Sequence, residues 1–228
     1  MKRLLACAPL AVALALAGCD GTTATDPLLR PSFDRGGGQG VNLRAGGFGE
    51  GSLGAWKSQE GLPDSKGGGN FALYLQKMTA TATVAAGFAV ITGVEGQPFS
   101  ELSLSWLDRK DGWCGAGAPR WNVGVTGGTI GADYTVFLGC SHADQTGPAP
   151  DGWTSDAFST TAISAQLTDV LGFTSDQAAD IEAGTVTSLA IIFDEGTDVG
   201  PGFVFLDNIT VNGKTFTKTF TSPGDNGN

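Results

Sequence analysis

The fold is decided by Gly202-Phe203-Val204-Phe205-Leu206-Asp207-Asn208-Ile209-Thr210-Val211-Asn212-Gly213, an apolar run that ends in an Asn-Gly pair. Aromatic and β-branched residues of this kind favour a β-strand. Alternation along the strand places five residues on one face: Phe203, Phe205, Asp207, Ile209 and Val211. The Asn-Gly pair predicts a tight hairpin turn between the last two strands.

The rest of the sequence continues this pattern. Glycine is frequent, at 36 of 228 residues, and it separates short apolar or alternating segments. Residues 102–106 and 121–125 alternate strictly, which indicates a sheet with one apolar face. The predicted strands cover 71–77, 81–91, 100–107, 120–125, 134–140, 153–158, 188–193, 202–211 and 214–220. We therefore predict an all-β fold, a jelly-roll β-sandwich of two antiparallel sheets.

One stretch departs from the β pattern. Between Ile163 and Glu182 the apolar spacing loosens towards a helical period. Thr174 and Gln177 match a capping box, and Gly184 follows as a residue that can terminate a helix. We predict one or two short helices at an end of the sandwich.

The N-terminus joins a basic segment to an apolar one. Lys2 and Arg3 precede an apolar run at 4–15, which is too short for a bilayer-spanning helix and ends at Leu16-Ala17-Gly18-Cys19. This arrangement resembles the bacterial lipoprotein signal, with residues 16–19 as the lipobox. The resemblance implies acylation of Cys19 and a lipid-anchored place in the bacterial cell envelope, outside the cytoplasm. An ordinary secretory signal cut nearby is the alternative.

Composition sets the expected domain limits and partners. We predict a signal peptide at 1–18, a flexible tether at 19–50, the β-sandwich at 51–221 and a disordered tail at 222–228. The tether is rich in glycine and polar residues that cannot offset their ordering entropy. A formal net charge of −10 argues against a nucleic-acid partner. We expect the lipid on Cys19 to provide the membrane attachment.

The four cysteines reduce to one pair. Cys7 would leave with the signal peptide, and Cys19 would carry lipid. Cys114 and Cys140 remain, and we predict a disulfide between them in a compartment that permits one. Closing that loop would stabilise the fold by roughly 3 kcal/mol in the chain-entropy model. Two free thiols, with Cys140 and His142 as a catalytic pair, are the alternative, but no third orienting group is evident.

Asp207 lies in register with an apolar row, where a carboxylate needs a cation or several donors. One partner is Arg120, in a structural ion pair. Another is Ca²⁺, with further oxygens from Asp194, Glu195 and Asp198. The remaining alternative is a surface carboxylate or one that is satisfied by backbone groups.

Three segments resemble known proteins. The strand and turn at 202–213 are similar to the closing strand of jelly-roll carbohydrate-binding modules. Together with 114–121 and 193–198, they also resemble uncharacterised secreted bacterial domains. In the binding modules the aspartate of this strand can belong to a structural Ca²⁺ site, which the resemblance places at Asp207.

The tryptophans divide into two groups. Trp56, Trp113 and Trp153 lie in Gly-rich or polar stretches, and an exposed indole beside polar groups would suit a sugar face. We take these three as candidate ligand-binding residues, with burial in the core or over the disulfide as the alternative. Trp106 and Trp121 alternate with aliphatic residues and are predicted to be core.

Catalytic motifs are absent from the sequence. It contains no G-x-S-x-G and no zinc-type His cluster, and Asp194 and Glu195 would point apart on a strand. We therefore predict a surface-anchored lipoprotein with a non-catalytic domain that binds glycan. A structural or adhesion module that binds an envelope protein is the alternative, and a concanavalin-like glycoside hydrolase is a remote one.

Overall fold

The computed structural model describes residues 41–64, 68–109, 117–198, 202–216 and 218. Within these residues the chain forms twelve β-strands and two α-helices, joined by turns and short 3₁₀ segments. The strands are β1 (Asn42–Phe48), β2 (Ser52–Lys57), β3 (Ala72–Lys77), β4 (Ala86–Thr92), β5 (Leu104–Arg109), β6 (Arg120–Thr126), β7 (Asp133–Gly139), β8 (Gln145–Pro148), β9 (Trp153–Phe158), β10 (Thr185–Phe193), β11 (Phe203–Val211) and β12 (Lys214–Thr215). The helices are α1 (Thr160–Gln166) and α2 (Ser175–Glu182).

The strands build two antiparallel sheets. The five-stranded sheet has the order β1-β4-β10-β6-β7. The larger sheet has the order β2-β3-β11-β5-β9-β8, and β12 pairs with β11. The predicted β-sandwich with two short helices is confirmed. No helix in the described part of the chain is long and apolar enough to cross a membrane.

Two stacked tryptophans lie in the core between the sheets. Trp106 on β5 and Trp121 on β6 are fully buried, with ring centroids 5.0 Å apart and an interplanar angle of 20°. Phe158 meets Trp106 edge to face at 5.3 Å. Such aromatic pairs add about 0.5–1.5 kcal/mol to the free energy of burial. The predicted core positions of both tryptophans are confirmed.

At one edge of the sandwich the two sheets touch through their backbones. A Cβ on Gly54 of β2 would lie 2.2 Å from the carbonyl oxygen of Gly46 on β1 and 2.6 Å from that of Phe88 on β4. A Cβ on Gly87 would lie 2.5 Å from the carbonyl oxygen of Leu53. No side chain fits in this contact, so glycine is required there by space.

The folded domain begins earlier than the sequence predicted. Residues 42–48 lie inside the predicted tether, yet they form β1 and pair with β4 from Asn42 opposite Thr92 to Phe48 opposite Ala86. The glycines in this segment allow the close contact with β2, so here they signal packing rather than flexibility.

A bulge divides β11. The pairing with β5 shifts register between Asp207 and Thr210, and Asn208 has a φ of 45°. Before the bulge Val204 and Leu206 face the core, and after it Ile209 and Val211 do so. The prediction of one continuous face was therefore wrong, because the extra residue exchanges the faces.

The predicted turns and caps of the C-terminal half are present. Thr174 and Gln177 form the reciprocal capping box of α2. Asn212 and Gly213 adopt φ values of 49° and 78°, and they connect β11 to β12 as the predicted hairpin turn.

The carboxylate of Asp180 ties α2 to the turn between β6 and β7. It accepts hydrogen bonds at 2.6 Å from the N–H groups of Thr129 and Ile130, and at 2.9 Å from the hydroxyl of Tyr134. Burial alone would raise the pKa of Asp180, but these donors outweigh it and hold the pKa below its usual value.

Candidate functional site

The outward face of the five-stranded sheet carries polar and aromatic side chains together. Alternation along β6 turns Trp121 and Val123 into the core, so Arg120 and Asn122 point outwards. The register places Arg120 opposite Ile192 on β10 and Asn122 opposite Phe137 on β7. We call this surface the platform and define it by its outward side chains Phe88, Ile192, Asp194, Arg120, Asn122 and Phe137.

An ion pair fixes the centre of the platform. The guanidinium of Arg120 donates two hydrogen bonds to the carboxylate of Asp194, at 2.5 and 2.6 Å. The same group also donates to the carbonyl oxygen of Gly117 at 3.3 Å. A bidentate pair of this kind sets the plane of the guanidinium as well as its position.

The ion pair in turn orients the amide of Asn122. The Nε group of Arg120 donates to Oδ1 of Asn122 at 3.0 Å, which leaves the amide Nδ2 on the side away from Arg120. Asn122 is only 5% exposed, so its side chain is held by its surroundings. Asp194, Arg120 and Asn122 therefore form a fixed line of hydrogen-bonding groups.

Aromatic rings border this line. The side chain of Phe137 is 49% exposed, and the guanidinium of Arg120 lies 5.4 Å from its ring centroid. On the other side, the ring of Phe88 lies close over Gly46, where a Cβ would come within 2.8 Å of the ring. The platform thus offers an accessible apolar ring next to fixed polar groups.

The predicted partners of Asp207 need correction. Arg120 is on the five-stranded sheet and pairs with Asp194, whereas Asp207 is on the outward face of the larger sheet. Asp207 instead accepts hydrogen bonds at 2.7 Å from the N–H groups of Leu62 and Asn208. The predicted Arg120–Asp207 pair was therefore wrong, and backbone donors satisfy this carboxylate.

The environment of Asp207 favours its protonated form. Burial raises the pKa of Asp207 above its usual value, although the two backbone donors oppose the shift. The negative charge of Asp64 raises the pKa further.

The predicted calcium ligands are not brought together. The carboxylate of Asp194 binds Arg120, and that of Asp198 accepts a hydrogen bond from the N–H of Thr81. Glu195 and Asp207 cannot bind the same ion, because Asp207 lies on the other sheet. Across the described ranges, no three Asp, Glu, His or Cys side chains are grouped for a metal ion. The predicted four-carboxylate site was wrong.

The ammonium of Lys77 supplies positive charge near Asp194 and Asp198. The side chain of Lys77 is 1% exposed, and its ammonium donates to the carbonyl oxygens of Thr81, Thr83 and Asp194 at 2.7, 2.6 and 2.9 Å. The ammonium of Lys77 therefore binds the carbonyl oxygens that a structural metal cation could otherwise use. The N–H of Thr81 lowers the pKa of nearby Asp198, and the charge of Lys77 lowers it further.

The candidate tryptophans have different environments. Trp153 is only 3% exposed and packs with Phe205 and Tyr74, so the prediction of an exposed indole there was wrong. The guanidinium of Arg109, which pairs with Glu60, lies over this cluster, 3.9 Å from the ring centroid of Phe205. These aromatic faces are already covered by the protein itself.

Trp56 is half-buried on β2 and lines a groove between the sheet edges. Cys19, Trp113 and Cys114 lie outside the described residues. Cys140 follows β7 and is 7% exposed, and its bridge to Cys114 stays a prediction.

Sequence reasoning missed Asn122 and Phe137. Two signals in the alternation could have found them. Arg120 and Asn122 interleave with the core residues of β6, and Phe137 is apolar although it lies between the core residues Val136 and Leu138. An aromatic residue at an outward-facing position of an edge strand is an informative exception to the rule that such positions are polar.

No protein-family model and no curated protein matches the chain. Among solved structures, it is similar to a family 11 carbohydrate-binding module from Clostridium thermocellum in complex with a β-1,3-1,4-mixed-linked tetrasaccharide, with 13% identity, a TM-score of 0.37 and coverage of 78% of this chain and 92% of the module. The family 11 module of the cellulase Lic26A-Cel5E from the same organism gives 12% identity, a TM-score of 0.33 and coverage of 82% and 95%.

A β-1,2-glucanase from Parabacteroides distasonis is also similar, with 14% identity and a TM-score of 0.37. The match covers 75% of this chain, but this chain spans only 22% of the glucanase.

Proposed function

We propose that this protein binds a polysaccharide on the platform of the five-stranded sheet. The observation that carries the proposal is the fixed line of Asp194, Arg120 and Asn122 beside the exposed ring of Phe137. Sugars present hydroxyl groups around the ring edge and C–H groups on the ring face. A rigid polar line and an adjacent aromatic ring match both surfaces.

Rigidity supports this function energetically. Binding a flexible side chain costs about 0.5–1.5 kcal/mol of ordering entropy for each immobilised group. Arg120 and Asn122 are already held by their hydrogen bonds in the unbound protein. Most of that cost is therefore absent when a ligand arrives.

The size of the face favours a polymer over a single sugar. Adjacent strands lie about 4.8 Å apart, so five strands span roughly 19 Å from β1 to β7. Phe88 on β4 and Phe137 on β7 lie at separated positions along that span. A chain of several sugar units would contact both rings.

We propose binding without catalysis. Glycoside hydrolysis needs two carboxyl groups about 5–9.5 Å apart, one of which transfers a proton. Asp194 is the carboxylate of the platform, and both of its oxygens accept hydrogen bonds from Arg120. The platform as defined holds this one carboxylate, and its oxygens are positioned as hydrogen-bond acceptors.

The proposal also includes lipid anchoring at Cys19 and a Cys114–Cys140 bridge. The lipobox-like sequence at 16–19 supports the anchor, and the burial of Cys140 at the end of β7 suits a bridged cysteine. Intact-mass measurement of the protein from a bacterial host, before and after reduction, tests both. An unmodified Cys19 or two alkylatable thiols in the native protein would contradict them.

Affinity gel electrophoresis of the full chain tests glycan binding. The panel includes β-1,3-1,4-mixed-linked glucan, β-1,2-glucan and xylan as probes. Phe137→Ala should weaken retention by about 2–13-fold, since losing a stacked ring costs about 0.5–1.5 kcal/mol. The ring is half-exposed, so this change should leave the fold intact.

Val84→Ala is the matched control, because Val84 is an 83% exposed apolar residue outside the platform. It should retain the affinity of the parent protein. Failure of the parent to bind any polymer, or equal retention of the parent and Phe137→Ala, would count decisively against the platform.

A further inference from the structure

We propose that a second site, separate from the platform, binds a carboxylated sugar of the uronic acid type. This site, which we call the edge groove, lies between the edges of β1 and β2 and is also lined by Lys214, Thr215, Phe216 and Lys218. That the ligand is a sugar rests on the proposed function, whereas the position and charge preference of the site do not.

The edge groove is a cavity of about 610 Å³, within the roughly 300–1,000 Å³ range of small-molecule sites. Its walls include Val41, Leu43, Gly54, Trp56, Lys214 and Lys218. The close backbone approach at Gly54 packs β2 against β1, and Gly54 is itself one of the lining residues. The groove is therefore present before a ligand binds.

Trp56 provides the apolar surface of the groove. Its half-buried indole packs against the core and also borders the cavity. Leu43 on β1 contributes a second apolar wall, also packed against the core. An indole held in this way is a large, rigid surface that loses little conformational entropy on binding.

Two lysines give the groove positive charge. Lys214 and Lys218 both line it and are exposed, and the ammonium of Lys214 donates a hydrogen bond to the carbonyl oxygen of Val41. No Asp or Glu is among the lining residues that the structure describes. In a chain with 13 basic and 23 acidic residues, two lysines without a lining acid make a local positive site. Such a site attracts an anion that the rest of the surface repels.

These two features select the ligand class. A planar indole favours the C–H face of a sugar ring, and two ammonium groups favour a carboxylate on the same ring. A neutral sugar would use the indole alone, and a simple anion would use the lysines alone. A uronate uses both.

The test measures binding of trigalacturonate and of its neutral methyl ester to the full chain by isothermal titration calorimetry. We expect trigalacturonate to bind at least tenfold more tightly than the ester, and added salt to weaken it. Replacing both cations, with Lys214→Gln and Lys218→Gln together, should raise the Kd at least tenfold. Lys218→Gln alone, at a position that follows β12, should raise it about threefold.

Two control variants show whether the charge must lie in the edge groove. Lys57→Gln removes the same charge from the residue next to Trp56. The side chain of Lys57 lies over Tyr74 on the outward face of the larger sheet. This variant and Phe137→Ala should bind trigalacturonate like the parent protein. Equal binding of acid and ester, no binding of either, or an equal loss in Lys57→Gln would overturn the edge groove. None of these results changes the retention of neutral polymers, which tests the platform alone.

Discussion

Replacing Lys77 with methionine should strongly destabilise the domain. The ammonium donates three hydrogen bonds of 2.6–2.9 Å and is 1% exposed, so Lys77→Met keeps the apolar stem and leaves three carbonyl oxygens without this donor. Each hydrogen bond to a charged group is worth about 1.5–3 kcal/mol. The recovered desolvation free energy of the ammonium offsets part of that loss, since burying a charge costs several kcal/mol.

We therefore expect the free energy of unfolding to fall by about 3–5 kcal/mol, which is less than the roughly 4.5–9 kcal/mol of three such hydrogen bonds because of that offset. For a domain of this size the Tm should fall by about 6–20 °C. Urea unfolding followed by tryptophan fluorescence measures the change.

Lys57→Met is the matched control on the neighbouring strand. The ammonium of Lys57 lies 3.6 Å from the ring centroid of Tyr74 on a half-exposed surface, where such a contact is worth about 0.5–1 kcal/mol. If Lys77→Met costs no more than Lys57→Met, the ammonium is not what holds the loop at 78–85 to β3 and the end of β10.

Two further predictions concern packing and pH. Gly54→Ala should lower the free energy of unfolding by about 2–3 kcal/mol, because the new Cβ would lie 2.2 Å from a carbonyl oxygen. The control Gly147→Ala should change it by less than about 0.5 kcal/mol, because nothing lies within 4 Å of that Cβ. Equal effects of the two variants in thermal unfolding would argue against the backbone contact. Burial raises the pKa of Asp156 despite a hydrogen bond from Thr146, so the native state retains this proton more readily and loses stability as pH rises from about 4 through the raised value. Asp156→Asn should therefore unfold at higher urea than the parent at pH 7 and at nearly the same urea at pH 4, and a gain that is independent of pH would contradict this reasoning.

The elements that the sequence predicted well have local causes. The core positions of Trp106 and Trp121 follow from strict alternation, the cap of α2 from Thr174 and Gln177, and the hairpin from Asn212-Gly213. Each of these signals lies within a few residues of the structure that it specifies.

The features that escaped prediction depend on distant partners. Lys77 reads as a surface residue at a strand end, but its ammonium binds a carbonyl oxygen 117 residues away, at Asp194. The predicted strand at 81–91 begins only at Ala86, because the carbonyl groups of Thr81 and Thr83 turn towards that ammonium. Arg120 selects Asp194 over Asp207 because the two aspartates belong to different sheets, which spacing in the sequence does not reveal.

Asn208 divides β11 into two halves with opposite side-chain alternation. Before it, odd-numbered residues such as Phe205 and Asp207 face outwards, and after it the odd-numbered Ile209 and Val211 face inwards. Between the pairs Asp207–Leu107 and Thr210–Ser105, β11 advances three residues while β5 advances two, so deleting Asn208 would equalise the two strands and give β11 one alternation without a change of register. The extra residue is therefore what allows Asp207 to face outwards while Ile209 and Val211 face the core.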